Sequence, residues 1–283
     1  MPKLLVVATP IGNLGDLSPR MREALTSCDL IAAEDTRMAM KLLNHLGIRK
    51  PLVSCHRHNE DARASELIGR MLNEDLTVAL TTDAGTPAIS DPGHVLVRAA
   101  WEAHIPVSPV AGPSAVAAAL SVSGFDARSF AFYGFPPREK KALDAALDAA
   151  RASGVPVAVY YESPHRVAAL VERIAERWPE CMLAVFCDLT KKFEWMRRGS
   201  PADALKALRE NPNLEKGEYC VVADLSALPP IGKPPSAGES AVAAMAERLF
   251  SGATIDEAEH FAQARGFPRN QIYRAKLFLK RLE

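Results

Sequence analysis

Short apolar runs alternate with longer amphipathic stretches along the first 110 residues. Residues 3–8, 30–33, 51–55, 77–81 and 106–110 have the length and aliphatic content of buried strands. The stretches between them carry legible helix boundaries. Ser18-Pro19 supplies an N-cap followed by proline at the first helical position, Asp35 caps a stretch that stops at Gly47, and Asn59 caps residues 60–72. Strand followed by helix, repeated, predicts a mostly parallel sheet covered by helices.

A second series starts at Phe130. It predicts a helix over 139–152, a strand over 155–161, a helix opened by Ser163-Pro164, strands over 182–187, 193–196 and 218–223, and a helix over 202–209. Its strand-rich end predicts mixed pairing. Residues 228–238 hold four prolines and two glycines and read as an extended tether. Beyond it, residues 239–250, 254–265 and 268–282 have helical spacing, the middle one opened by a Thr254/Glu257 capping box. Arg265-Gly266-Phe267-Pro268 turns one helix into the next, a helix-turn-helix-like arrangement. The expected organisation is an α/β domain over 1–118, a second over 119–227, a linker over 228–238 and a helical domain over 239–283.

Between Thr81 and Gly93 hydrophobic periodicity gives way to small, turn-forming and acidic residues. Asp83 falls at the carboxyl end of a strand, where open α/β sheets bind ligands. Asp91 and Pro92 are expected as N-cap and first residue of the next helix. Similar loops follow other strands: Thr9-Pro10-Ile11-Gly12-Asn13-Leu14, Ala111-Gly112-Pro113-Ser114-Ala115, Tyr161-Glu162-Ser163-Pro164-His165-Arg166 and Asp188-Leu189-Thr190-Lys191-Lys192. Gly112, lacking a side chain, is expected to let backbone approach a ligand. Five such loops in two domains point to a cleft between them.

Composition narrows the chemistry. With 283 residues, 48% hydrophobic and 24% charged, the chain can bury full cores. No apolar run approaches the roughly 18 residues of a membrane span, and the start reads as a strand, so a cytoplasmic protein with no membrane association is expected. Five scattered cysteines without a CxxC pair argue for reduced core residues over disulfides or structural zinc. His56 and His58 lack a matched third ligand, and no metal is expected. Ser163 beside Glu162 and His165 could mimic a hydrolase, yet it serves better as an N-cap. Neither GxxxxGK[ST] nor GxGxxG occurs. Thirty-four basic and thirty-four acidic residues cancel, so any affinity for nucleic acid must be local. Residues 265–281 provide such a patch, with six basic residues and no acidic one. Arg269, Arg274, Lys276, Lys280 and Arg281 would contact phosphate there.

Taken together, Thr9-Pro10-Ile11-Gly12-Asn13-Leu14, Ala33-Glu34-Asp35-Thr36-Arg37, Asp83-Ala84-Gly85-Thr86-Pro87, Ser90-Asp91-Pro92-Gly93, Gly112-Pro113-Ser114, the Tyr161–Arg166 segment, Leu189-Thr190-Lys191 and Lys216-Gly217-Glu218 resemble the ribosomal RNA small subunit methyltransferase I family of the tetrapyrrole methylase superfamily. The resemblance spans nearly the whole chain. It implies two α/β domains of tetrapyrrole-methylase type with S-adenosylmethionine in the cleft between them, and a small C-terminal helical domain that binds RNA. The implied reaction is 2′-O-methylation of a cytidine in small-subunit (16S) ribosomal RNA, free or in the 30S subunit, by a homodimer. Pro10, Asp83, Ala84, Gly85, Thr86, Ser114, Ala115, Glu162 and Leu189 fall where the superfamily contacts the methyl donor. The porphyrin branch usually has a glycine-rich first loop, which is replaced here. The family's usual Arg-Glu-Leu-Thr-Lys is Cys187-Asp188-Leu189-Thr190-Lys191 in this chain.

Such a displacement needs an aligned oxygen and a proton acceptor. Glu34, Asp35 and a Lys191 of lowered pKa are the expected catalytic residues, while Arg37 and Arg166 suit phosphate. Two alternatives stay open: a methyltransferase of small-molecule tetrapyrroles, and a noncatalytic RNA-binding protein that leaves the cleft empty.

Overall fold

Local capping chemistry shapes much of the first layer. Ser18 accepts from Met21 N–H and Asp35 from Arg37 N–H, and each starts a helix where the sequence predicts one. The computed structural model describes residues 1–228 and 240–280. Strands β1 (Lys3–Val7), β2 (Leu30–Ala33), β3 (Leu52–Ser54), β4 (Thr77–Thr81) and β5 (Val107–Val110) form a parallel sheet of order β3-β2-β4-β1-β5. Helices α1 (Pro19–Ser27), α2 (Thr36–Leu46), α3 (Glu60–Glu74) and α4 (His94–Glu102) connect these strands, and two apolar cores flank the sheet. The crossovers from β1 and from β4 leave in opposite directions. A crevice therefore opens beyond the carboxyl ends of these two neighbours, the usual place for a ligand.

Helix α5 (Ala115–Ser123) runs through the 118/119 position and packs against the second sheet, sharing a core with Val157, Val159 and Val222. That sheet holds β6 (Phe130–Phe132), β7 (Val157–Glu162), β8 (Met182–Cys187), β9 (Trp195–Gly199) and β10 (Tyr219–Asp224), in the order β6-β7-β10-β8-β9. Only β6 pairs in parallel; β10 runs antiparallel to both its neighbours, so the pairing is mixed. Helices α6 (Lys140–Ala152), α7 (Val167–Arg177) and α8 (Pro201–Glu210) cover the other face. After Leu228 the expected linker lies outside the described residues. Helices α9 (Ala241–Phe250), α10 (Ile255–Ala264) and α11 (Arg269–Leu279) pack around Met245, Ala258, Phe267 and Ile272, and the Thr254/Glu257 capping box is formed.

Several local expectations are corrected. Asp91 does not cap α4: the cap is Gly93, and Glu60 Oε1, from α3, accepts from Gly93 N–H at 2.6 Å and Val95 N–H at 3.1 Å. Asn59 stands at the N-cap of α3, but its side chain bonds His56 N–H and the Ser54 carbonyl instead of the helix. Ser163 is not the cap of α7, which starts at Val167; its carbonyl accepts from Arg166 and Val167. A Cβ at Gly112 would come within 3.0 Å of the Ala8 side chain and 3.2 Å of its carbonyl oxygen. Gly112 is therefore required by its approach to Ala8, directly after β1. All five cysteines are free and buried.

Candidate functional site

The loops leaving β1 and β4 are tied together by backbone bonds in both directions, Thr9 N–H to Gly85 O at 2.8 Å and Gly85 N–H to Thr9 O at 3.0 Å. This tie, with the Thr86 hydroxyl on the Pro113 carbonyl at 3.2 Å, fixes one wall of a cavity of about 420 Å³. Glu34, residues 83–86 and 89–91, Ser114 and Ala115 line that wall. Residues 161–164, Asp188, Leu189, Lys191 and 217–220 form the opposite wall, from the second sheet. The structure thus brings together Asp83, Ala84, Gly85, Thr86, Ser114, Ala115, Glu162 and Leu189 from distant parts of the chain. Pro10 stays outside the lining; its neighbour Ile11 lines the cavity and is buried among the apolar residues of α5 and the second sheet.

The two walls differ in how their carboxylates are partnered. On the first, Glu34 Oε2 accepts from the Thr82 hydroxyl at 2.6 Å, and Asp83 Oδ1 accepts from Asp35 N–H at 3.1 Å. Burial, then the neighbouring Glu34 charge, raise the pKa of Asp83. The same two causes push Asp91 up to about 6. On the second wall the carboxylates are paired. Glu162 is 3% exposed and receives Arg166 through Nε at 2.8 Å and through a further short contact from Nη2. Asp188 and Glu218 each hold the Lys191 ammonium at 2.7 Å. The stem of Lys191 crosses Gly12 so closely that a Cβ there would sit 2.3 Å from Lys191 Cγ, which locks the first loop under the second sheet.

These contacts revise three expected roles. Burial alone would lower the Lys191 pKa, but hydrogen bonds and charge from Asp188 and Glu218 outweigh it, and the pKa lies above that of an ordinary lysine. Lys191 is a fixed cation, not a base. Asp35 also fails as a base: the Arg37 guanidinium, bound to it at 2.6 Å, holds its carboxyl at about 2, and it caps α2 outside the cavity lining. Arg166, expected on phosphate, is committed to Glu162 and to the Pro136 carbonyl. Arg37 is solvent-exposed.

In the helical bundle, Arg269 and Arg274 are exposed, with Tyr273 exposed between them. Lys276 departs from the expected phosphate contact: it bonds Asp256 at 2.8 Å and Glu259 at 2.5 Å and staples α11 to α10. Arg281 lies outside the described residues. Sequence reasoning placed the loops of Ile11, Asp91 and Asp188 at the cleft but did not single out these residues or Glu218. The Ser90-Asp91-Pro92-Gly93 and Lys216-Gly217-Glu218 motifs held that signal, but local capping chemistry hid it for Asp91.

Residues 3–204 match the family described as Tetrapyrrole (Corrin/Porphyrin) Methylases. The chain is 44% identical over 220 residues to ribosomal RNA small subunit methyltransferase I of Xylella fastidiosa, covering 77% of this chain and 80% of the relative. It is 39% identical over 279 residues to the protein of the same name from Synechocystis sp., covering 98% of each. Among solved structures, the methyltransferase CobJ superposes with a TM-score of 0.58 at 17% identity, over 82% of this chain and 98% of that one. Uroporphyrin-III-C-methyltransferase from Thermus thermophilus gives 0.53 at 22% identity, over 78% and 94%. These two share the fold.

Proposed function

Because the chain belongs to the tetrapyrrole methylase family, and within it to the ribosomal RNA small subunit methyltransferase I group, we propose that it methylates the 2′-oxygen of a cytidine ribose in small-subunit ribosomal RNA. Ribosomal RNA methylation with S-adenosylmethionine as donor is the activity of the group. The cytidine and the ribose oxygen are our reading. The observation that carries it is a wall of carboxylates, Glu34, Asp83 and Asp91, with no ion pair among the described residues, beside a cavity with an exposed arginine, Arg37, on α2. A hydroxyl nucleophile needs a proton acceptor, and a ribose arrives with phosphates.

The cavity suits the donor. Its volume lies within the roughly 300–1,000 Å³ of small-molecule pockets. Ile11, Ala84, Ala115 and Leu189 offer apolar surface, and Asp83 complements a sulfonium cation. Bound there, S-adenosylmethionine supplies an electrophilic methyl group. Asp83, Ala84, Gly85, Thr86, Ser114, Ala115, Glu162 and Leu189 would hold it, the glycine and alanines through backbone. Aligning the ribose oxygen with the methyl carbon is the larger share of the acceleration. Lys191, fixed over Gly12, keeps the two walls in register and presents a cation to the cavity. The α11 face with Arg269, Tyr273 and Arg274 would bind RNA backbone and stack an unpaired base. A small-molecule tetrapyrrole substrate would have no use for this face.

Transfer of labelled methyl to 30S subunits, followed by nuclease mapping, tests the reading. An alkali-resistant cytidine linkage is expected; label on a base would sink the ribose assignment. A homodimer is also proposed, supported by exposed Val122 on α5 and Phe130 on the edge strand β6, beside an apolar groove. Sedimentation at a single-chain mass would dismiss it. No described helix is long and apolar enough to cross a membrane, and a cytoplasmic location fits the substrate.

A further inference from the structure

The loop from Thr82 to Gly93 is held in an unusual backbone. Ala88 and Ser90, neither of them glycine, adopt left-handed φ values of 65° and 69°. The turn closes through Ala88 N–H on the Pro92 carbonyl and Ile89 N–H on the Thr86 carbonyl. Glu60 supplies the capping acceptor for α4, so the Asp91 carboxylate is released from that duty and faces the cavity with Glu34 and Asp83.

Thr82 gives this carboxylate a particular partner. A hydroxyl has one proton to donate, and Thr82 donates it to Glu34 Oε2. The same hydroxyl also favours the charged form of Asp91. The two carboxylates therefore share one donor, and the one left without it is the stronger base. The charged and titratable groups facing Asp91 are Glu34 after β2, Asp83 after β4, Tyr161 on β7 and Arg57 after β3. Burial holds Tyr161 neutral, and Arg57 reaches the Ser90 carbonyl at 3.4 Å. Two carboxylates thus oppose one cation, which favours proton uptake.

We propose that Asp91 is the catalytic residue that accepts the ribose 2′-hydroxyl proton, with Glu34 drawing the Thr82 hydroxyl away from it. The assignment rests on the ribose reading above. The O–H bond breaks toward an Asp91 oxygen, and the freed electron pair on the ribose oxygen forms the bond to the methyl carbon. The C–S pair returns to sulfur, so the positive charge lost there is matched by the proton gained at Asp91. Burial, reinforced by Glu34, has already lifted this carboxyl to about 6, close to the working pH of an efficient base.

The test uses the full chain with 30S subunits and labelled methyl donor under single-turnover conditions. Asp91→Asn should lower the rate by about 10²-fold or more while calorimetry finds donor affinity changed by less than about twofold. The wild-type rate should rise with pH through an inflection near 6, and the variant should lack it. Thr82→Val should move the inflection upward by removing the hydrogen bond that lowers the Asp91 pKa. Without donor, the Asp91 side-chain carbon signal in the wild type should titrate near 6 by nuclear magnetic resonance. An Asp91→Asn rate within about threefold of wild type, or an inflection that survives the substitution, overturns the assignment. A wild type that labels a base overturns the ribose reading, and Asp91 as its base with it. A wild type that labels ribose beside an equally active Asp91→Asn enzyme overturns Asp91 alone.

Discussion

The cavity has one wall of carboxylates without ion pairs and one of carboxylates already matched to cations. Glu34, Asp83 and Asp91 come from loops of a parallel sheet, and among the described residues none of them forms an ion pair. Glu162 is bound by Arg166, while Asp188 and Glu218 are bound by Lys191. Burial raises the pKa of Asp83 and Asp91, whereas the Lys191 ammonium is kept charged by Asp188 and Glu218. The first wall is therefore suited to moving protons and the second to holding geometry. Asp35 shows the contrast within one segment, since Arg37 drops its carboxyl to about 2.

The largest effect that separates the walls should come from Glu162→Ala, which strands Arg166 beside a cavity wall. A loss of about 3 kcal/mol in chemical denaturation is expected, and unchanged stability would break the contrast. Next, Asp83→Ala should weaken donor affinity about tenfold, equivalent to about 1.4 kcal/mol; equal calorimetric affinity would remove Asp83 from the donor site. Removing residues 240–283 should raise the KM for 30S subunits by a similar factor and leave donor affinity alone, marking RNA affinity as separate from both walls.

The smallest effect has the opposite sign. Asp91 has a folded pKa of about 6, above its unfolded value, so its charge weakens the fold above pH 6 and that penalty fades as pH falls toward 4. At full value the displacement weighs about 3 kcal/mol, but the cleft admits water and about 1 kcal/mol remains. Asp91→Asn should then raise Tm at pH 7.5, and its advantage should shrink by pH 5. A Tm gain that does not depend on pH would assign the benefit to packing.

What the sequence disclosed follows the range of the interactions involved. Ser18, Asp35 and Thr254 cap helices through neighbours two or three residues away, and each is legible in the chain. The alternation of apolar and amphipathic stretches likewise gives both sheets. Asp91-Pro92 before a helix also looks like a local cap, but Glu60, 33 residues upstream, already fills that place. Lys276 reads as a surface cation until Asp256 and Glu259 fold against it. The strand expected over 193–196 is found at Trp195–Gly199, because antiparallel pairing with β8 sets Trp195 opposite Cys187. Long-range partners decided the proton chemistry of the site, and those are invisible to local pattern.

The five cysteines have a practical corollary. Cys28, Cys55, Cys181, Cys187 and Cys220 are all buried, and burial raises the pKa of every one, Cys220 in the cavity lining reaching about 12. Thiolate, the form that reacts with maleimides and nitroxide reagents, is scarce at neutral pH. The chain thus offers a silent background for spectroscopic labelling. A cysteine introduced at Arg269 and another at Arg37 would be the only thiols to take up dye quickly, giving a ruler between tail and cleft while the enzyme engages the ribosome.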